Sequence, residues 1–177
     1  MVIFYNNLTF DSIFIFEFTN VISNIYILRN PYKVCSFNKI KTTYSAGGVV
    51  LNKKKEVLIV NQHGTTWSLP KGHLEKNENK LDAAKREIYE ESGIKNLELI
   101  KDLGEYQRFR IDKEGKEVQD ELKNIFIFLF ETNDTELKPI DPENPEAKWV
   151  KIDDVSIFLS HPKDKEFFEL IKPNILR

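Results

Sequence analysis

Apolar residues in the middle of this chain recur at two different spacings, and the switch between them marks out the elements. Residues 45–51 (SAGGVVL) and 57–60 (VLIV) are short apolar runs separated by the polar segment 52–56, a pattern that predicts a hairpin. Residues 64–71 then read as a loop that ends in an X-Pro step, a step that disfavours helix. From Leu81 the spacing changes, because Leu81, Ala84 and Ile88 fall at three- and four-residue steps with helix-favouring Ala, Lys, Arg and Glu between them. Asn79 is placed to cap this helix, with Asp82 three residues on, and Gly93 followed by Ile94 supplies a left-handed stop with an apolar contact. Residues 97–103 and 106–111 predict two further strands, with 112–115 as a turn. The continuous apolar run 125–130 suits a strand covered on both faces. A last short strand at 149–152 and a helix at 164–171, with Phe167, Phe168 and Ile171 inward, complete an α/β pattern. Residues 138–145 read as a surface connection, and neither an internal repeat nor a low-complexity linker interrupts the chain.

Composition narrows the class. A chain of 177 residues, 41% hydrophobic and 31% charged, is long enough for one domain with a real core. The net charge of −2 offers no overall electrostatic attraction to nucleic acid, so no nucleic-acid partner is expected. One cysteine, Cys35, allows no internal disulfide and suits a reducing, cytoplasmic setting. His63, His73 and His161 lack zinc-ligand spacing. Residues 1–41 differ in character, since nine of the chain's 21 aromatics lie within the first 40 positions. Glu17, Asn20 and Asn24 interrupt their apolar run short of a membrane span, and a basic n-region and small-residue cleavage site are missing. The expectation is an aromatic-rich extension, as added strands or a poorly ordered arm, ahead of a domain spanning 42–177, with no membrane partner.

The chemistry concentrates on the helix that begins near residue 80. At about 100° per residue, Glu87, Glu90 and Glu91 cluster in one sector about a quarter-turn from the apolar stripe. Like charges at this spacing cost a few tenths of a kcal/mol per pair. A shared cation reverses that cost. Carboxylate oxygens with few softer ligands nearby suit Mg²⁺ or Mn²⁺, whereas an ordinary solvated, charge-laced helix would need no ion.

The residues around this helix decide between those readings. Gly72 is followed after five residues by Glu78 and after seven more by Arg86-Glu87-Ile88-Tyr89-Glu90-Glu91-Ser92-Gly93-Ile94. Seven fixed identities coincide at one start position with a chance on the order of 10⁻⁸. The segment resembles the Nudix box throughout, and the wider resemblance covers residues 42–171. It implies an α/β/α sandwich around a mixed β-sheet, and a metal-dependent hydrolase that splits a phosphoanhydride in a nucleoside diphosphate derivative. Glu87, Glu90 and Glu91 would be metal ligands with the Gly72 carbonyl, Arg86 would orient the glutamates, and Glu78 would hold the loop. The general base stays open between Glu87, which is favoured, and Glu121 or Asp120 outside the box.

The substrate rests on fewer residues. The run 67–73 (WSLPKGH), with Ala46-Gly47-Gly48, resembles the diadenosine-tetraphosphate hydrolase branch. That resemblance implies polyphosphate contacts from Lys71, His73 and Lys123, and an adenine stacked on Tyr106 or Phe109. A MutT-like triphosphate pyrophosphohydrolase is the second reading, and a nucleotide sensor without turnover the reading from another class. RNA-cap-like pyrophosphohydrolases fit less well, because Pro70-Lys71-Gly72 stands where they carry Pro-Gln-Gly.

Overall fold

Two strands that run side by side in the same direction form the spine of the sheet in the computed structural model, which describes residues 40–112 and 116–175. β1 (Lys41–Leu51) lies parallel to β6 (Glu117–Glu131), in register from Lys41 against Glu121 to Leu51 against Glu131. β5 (Glu98–Ile111) returns antiparallel along the outer edge of β6. The other edge of β1 is shared by two strands. It meets β2 (Glu56–Gln62) only at Leu51 against Val57, and it pairs with β4 (Lys71–His73) through Ser45, Ala46 and Gly47. β3 (Thr66–Ser68) and β7 (Glu146–Lys151) flank β2.

Strand alternation sends successive side chains to opposite faces, and each face is covered by a helix. Val49, Leu51, Ile125, Ile127 and Leu129 pack with Phe167, Phe168, Ile171 and Ile175 of α3 (Pro162–Ile175). Ala46, Val50, Phe126, Phe128 and Phe130 pack with Ala83, Ala84 and Ile88 of α1 (Lys80–Ser92) and with Ile94. The apolar run on β6 is therefore buried on both sides, and the arrangement is the expected α/β/α sandwich with a mixed sheet.

Several elements differ from the sequence expectation. The two strands expected at 97–103 and 106–111 are one strand, because pairing with β6 carries β5 across Gly104 through a bulge in which that glycine adopts φ +93°. The expected loop 64–71 contains β3 and the start of β4, strands too short to show a periodicity. α3 starts two residues early, with Pro162 in its first turn. The four-residue helix α2 (Val155–Phe158) was not foreseen. The segment 138–145 has no regular structure, as expected, but it is not idle. Lys138 N–H donates to Ser92 O, and Ile140 and Asp141 N–H both donate to Glu90 O, so this segment satisfies carbonyls left open at the end of α1. The extension at 1–39, the turn glycine at 115 and Cys35 lie outside the described residues. No described helix is long and apolar enough to cross a membrane.

Gly47 and Gly48 fix how closely the sheet and its neighbours approach. A Cβ on Gly47 would lie 2.1 Å from the Pro70 carbonyl oxygen and 2.4 Å from Lys71 Cβ, and one on Gly48 would lie 2.7 Å from the Phe130 ring. Gly47→Ala therefore has to push backbone, not a flexible side chain. It is expected to destabilise the fold by about 3 kcal/mol, the upper part of the range for overpacking. Urea unfolding checks this, and an unchanged midpoint and slope would refute the close packing of β4 on β1.

Candidate active site

α1 forms as its sequence dictates. Asn79 Oδ1 accepts the Asp82 N–H at 2.9 Å, and Gly93 takes φ +82° with its N–H on Tyr89 O at 2.7 Å. Gly93 is also sterically required, because a Cβ there would sit 2.5 Å from Lys138 O. With Ala84 and Ile88 buried, the three glutamates fall on the rim of the helix in a graded order. The Glu90 side chain is 42% exposed and that of Glu87 13%, while Glu91 as a residue is 2% exposed.

One guanidinium organises the outer part of the site. Arg86 Nε and Nη2 donate to the two oxygens of Glu78, both at 2.9 Å. Its Nη1 donates to Glu87 Oε1 at 2.7 Å and to Glu90 Oε2 at 3.1 Å, and Nη2 also reaches the His73 carbonyl at 2.9 Å. The rigid planar fork is what allows one side chain to hold carboxylates from a loop and a helix together. Glu78 in turn accepts the Glu75 N–H at 3.0 Å. Its carboxyl is held down to about 2, first by the Arg86 hydrogen bonds and then by this backbone donor. His73 O, Glu78, Glu87 and Glu90 thus meet at one cation.

The inner part of the site lies against β4. Glu91 Oε2 accepts the Lys71 N–H at 2.8 Å, and Oε1 accepts from Asn144 Nδ2 at 3.0 Å. Gly72 faces Glu87 so closely that a Cβ would fall 2.0 Å from Glu87 Oε2. Burial pushes the Glu91 carboxyl up to about 8, against the nearby Lys71 charge. Burial also raises Glu87, although Arg86 opposes it.

These features fit a hard divalent cation. Among the described residues no three Asp, Glu, His or Cys side chains converge closely enough to hold an ion as they stand, with Glu87 and Glu90 bonded to Arg86. The donors are nonetheless all carboxylate or carbonyl oxygens, and Glu91 is buried with the Lys71 N–H and the Asn144 amide as its hydrogen-bond donors. The missing side chain at Gly72 leaves the β4 backbone directly against Glu87.

Alternation along β4 sends its neighbouring side chains to the α3 face. Lys71 pairs with Gly47, and its ammonium is buried 3.6 Å from Asp164 Oδ2. Tyr106 also turns inward, donating from its hydroxyl to Asp164 Oδ1 at 2.9 Å and stacking on Phe167 at a centroid distance of 4.4 Å. Two residues read from the sequence as substrate contacts are therefore packed around a buried acid. Phe109 lies on the opposite side of β5, half-buried and paired with Leu122. His73 is exposed, and its imidazole is lowered by burial and then by the Lys123 charge. Lys123 is 24% exposed and 3.9 Å from Glu121 Oε2, with Glu121 also 3.7 Å from Lys41 Nζ. Asp120 points away to the surface, gripped by Arg110 Nε at 2.8 Å and Nη2 at 2.6 Å, which lowers its carboxyl.

On this same face a cavity of about 350 Å³ opens, lined by Trp67, Arg108, Arg110, Lys123, His161 and Asp164 among others. His161 Nδ1 accepts the Lys163 N–H at 3.1 Å, which leaves Nε2 to donate to Phe109 O at 3.1 Å and makes the ring neutral. Burial lowers its pKa in the same direction. A larger cavity, about 530 Å³, sits by the β1–β2 turn against Asn52, Asn96 and Glu131, away from all of these groups. Sequence reasoning missed Arg108, Arg110, Asn144 and Asp164. Tyr106 pairs with Ile125 and Arg108 with Lys123, while Arg110 lies past a register shift against Val118, so the basic pair takes its meaning from the pairing of β5 with β6. Asn144 and Asp164 had no readable signal, since a lone polar residue in a loop or helix start does not announce a buried partner.

Comparison with known proteins places this geometry. The family model described as NUDIX domain matches residues 41–171. A protein of Pelagibacter ubique (strain HTCC1062) named RNA pyrophosphohydrolase is 34% identical over 121 residues, spanning 62% of this chain and 77% of that one. Another of that name from Bartonella henselae is 32% identical over 142 residues, 67% of this chain and 82% of that one. A solved C. elegans Ap4A hydrolase binary complex superposes with a TM-score of 0.62 at 20% identity, over 76% of this chain and 98% of that one, and so supports the fold. The box that winds from Gly72 to Gly93, the sheet that presents it and the match over most of the chain agree: the protein belongs to the Nudix hydrolase family.

Proposed function

We propose that this pyrophosphohydrolase acts on nucleosides carrying a polyphosphate chain, with dinucleoside polyphosphates such as diadenosine tetraphosphate the first choice. The observation that carries the reading is the placement of β4. One side of this three-residue strand meets the carboxylates of α1, and on the other Lys71 pairs with Asp164, which lines a cavity together with Arg108, Arg110 and Lys123. Glu87, Glu90, Glu91 and the Gly72 carbonyl would hold Mg²⁺ or Mn²⁺ in the proposed complex. Such an ion would supply polarisation of phosphate oxygens and activation of water.

This chain's own residues supply positioning and proton transfer. Arg86 keeps Glu87 and Glu90 at a fixed separation and orientation, so little reorganisation is needed when phosphate charge develops. Glu87 is the proposed base, because it lies against the Gly72 backbone and burial raises its carboxyl above the ordinary value, which makes it a stronger proton acceptor. Glu121, neighboured by Lys41 and Lys123, is the alternative on the cavity side, and Asp120 is set aside for its grip on Arg110. His73, Lys123, Arg108 and Arg110 are proposed to receive the remaining phosphates. Lys71 and Tyr106 are proposed to support the cavity from beneath. A cytoplasmic setting remains the reading from the single cysteine.

A second reading has its own observation in favour. The RNA pyrophosphohydrolase names of two relatives favour the 5′-triphosphate end of RNA as a substrate. Lys71 in place of glutamine argued against this on sequence grounds. With the Lys71 side chain turned to Asp164, that difference no longer bears on a substrate contact. The cluster of Arg108, Arg110 and Lys123 likewise supplies local positive charge that the net charge of −2 conceals.

A panel of dinucleoside polyphosphates, RNA 5′-triphosphates, oxidised nucleoside triphosphates, nucleotide sugars and ADP-ribose, incubated with Mg²⁺ and resolved by chromatography, separates these readings. ATP plus AMP from diadenosine tetraphosphate in preference to other products supports the first; preferred release of 5′-monophosphate RNA supports the second. Tight nucleotide binding without any turnover would overturn both. Glu90→Gln is expected to lower the rate by at least about a hundredfold while moving the unfolding temperature little, because this side chain is the most exposed of the three, at 42%. Near-normal activity would remove Glu90 from the metal site.

The raised Glu91 carboxyl adds a pH prediction. In the unfolded chain it loses its proton near the ordinary value of 4.5, and in the fold near 8. Its contribution to stability is therefore complete below 4.5 and is lost as pH rises through 8. A divalent cation competes with that proton. Saturating Mg²⁺ is expected to raise the unfolding temperature more at pH 8 than at pH 5.5, and equal shifts at both would contradict the assignment.

A further inference from the structure

A buried acid from α3 presses on the strand that carries half of the site. Asp164 lies in the first turn of α3 and is 2% exposed. Its Oδ2 is 3.6 Å from Lys71 Nζ, and its Oδ1 is 3.0 Å from Arg108 Nε and accepts the Tyr106 hydroxyl at 2.9 Å. All three partners come from β4 and β5, and none from α3 itself. The helix already has Phe167, Phe168, Ile171 and Ile175 to bury against the sheet. A buried ion pair adds desolvation cost to such an interface and is weak evidence for a purely stabilising role.

Lys71 links this acid to the glutamates. Its side chain reaches Asp164, while its backbone N–H donates to Glu91 Oε2 at 2.8 Å. The following residue, Gly72, is the one packed against Glu87. Two adjacent residues thus join a carboxylate on the α3 side of the sheet to two carboxylates on the α1 side, across a strand only three residues long.

We propose that Asp164 is a positioning residue for the metal-binding face of α1: by holding the Lys71 ammonium it sets where the Lys71 N–H meets Glu91 and where the Gly72 backbone meets Glu87. The inference rests on the reading that Glu91 helps hold a divalent cation. Partners that orient metal ligands from behind affect metal affinity or activity by about 10–100-fold when removed. Because Asp164 acts through Lys71, losses from changing either residue overlap instead of multiplying.

Isothermal titration of the full chain with Mn²⁺ alone, with unfolding midpoints measured alongside, tests this without substrate or turnover. Asp164→Asn and Lys71→Met are each expected to weaken Mn²⁺ binding about tenfold, and the double variant to bind no more weakly than the weaker single. A folded Asp164→Asn variant with wild-type affinity would overturn the proposal. So would losses that multiply to about a hundredfold in the double variant. Where Asp164→Asn does not fold, Lys71→Met carries the test, since Asp164 there retains Arg108 and Tyr106. Unchanged Mn²⁺ affinity in that variant overturns the proposal, and a tenfold loss supports it. Glu91→Gln separates the two levels of inference. If it binds Mn²⁺ like the wild type, the metal reading itself fails; if it loses binding while Asp164→Asn and Lys71→Met do not, only the role of Asp164 falls.

Discussion

The close approach of β4 to β1 is the constraint on which the site depends. Gly47 admits the Pro70 carbonyl and Lys71 at distances that a Cβ would forbid, and Gly72 does the same for the Glu87 carboxylate. With β4 in that place, alternation along three residues distributes the functions. Lys71 and His73 face the α3 side, and Gly72 faces α1. The acids, the cavity and the buried Asp164 then take their positions relative to one short strand. This explains why a segment with so little secondary structure of its own can be held so tightly. Its backbone is paired to β1, its N–H to Glu91, its carbonyl at His73 to Arg86, and its lysine to Asp164.

Electrostatics on α1 are arranged as a gradient. Glu90 stands in solvent, Glu87 is mostly covered, and Glu91 is enclosed with Asn144 and the Lys71 N–H. Arg86 bonds to Glu78, Glu87 and Glu90 together, one positive charge among three carboxylates. Glu91 is beyond its reach and keeps a proton until about pH 8. Three carboxylates on one guanidinium leave net negative charge beside Glu91, which favours entry of a small, strongly charged cation. The segment 138–144 closes this arrangement by holding the last turn of α1 from outside the box.

Local rules made α1 legible from the sequence, because its cap, its apolar stripe and its terminal glycine all act within a few residues of one another. The same holds for the buried strand at 125–130, whose unbroken apolar run reflects a helix on each face. The merger of two expected strands into β5 was hidden, since it depends on a partner strand that lends its pairing across Gly104. Lys71 illustrates the limit most clearly. Its position beside the box suggested a phosphate contact, yet its direction is set by register with Gly47, and its partner Asp164 lies 93 positions away in the chain. Arg108 and Arg110 became meaningful only when β5 met β6 and brought them beside Lys123. Long-range pairing, not residue type, decided which charges share a cavity.

The central claim is that the carboxylates of Glu87, Glu90 and Glu91 and the Gly72 backbone form one site for a divalent cation. Anomalous diffraction from crystals of the full chain grown with Mn²⁺ tests it most directly. A peak bounded by these three side chains and the Gly72 carbonyl is expected, at coordination distances of about 2.0–2.6 Å. A peak seated instead among the surface acids, with the three glutamates still bound only to Arg86, Lys71 and Asn144, would contradict it.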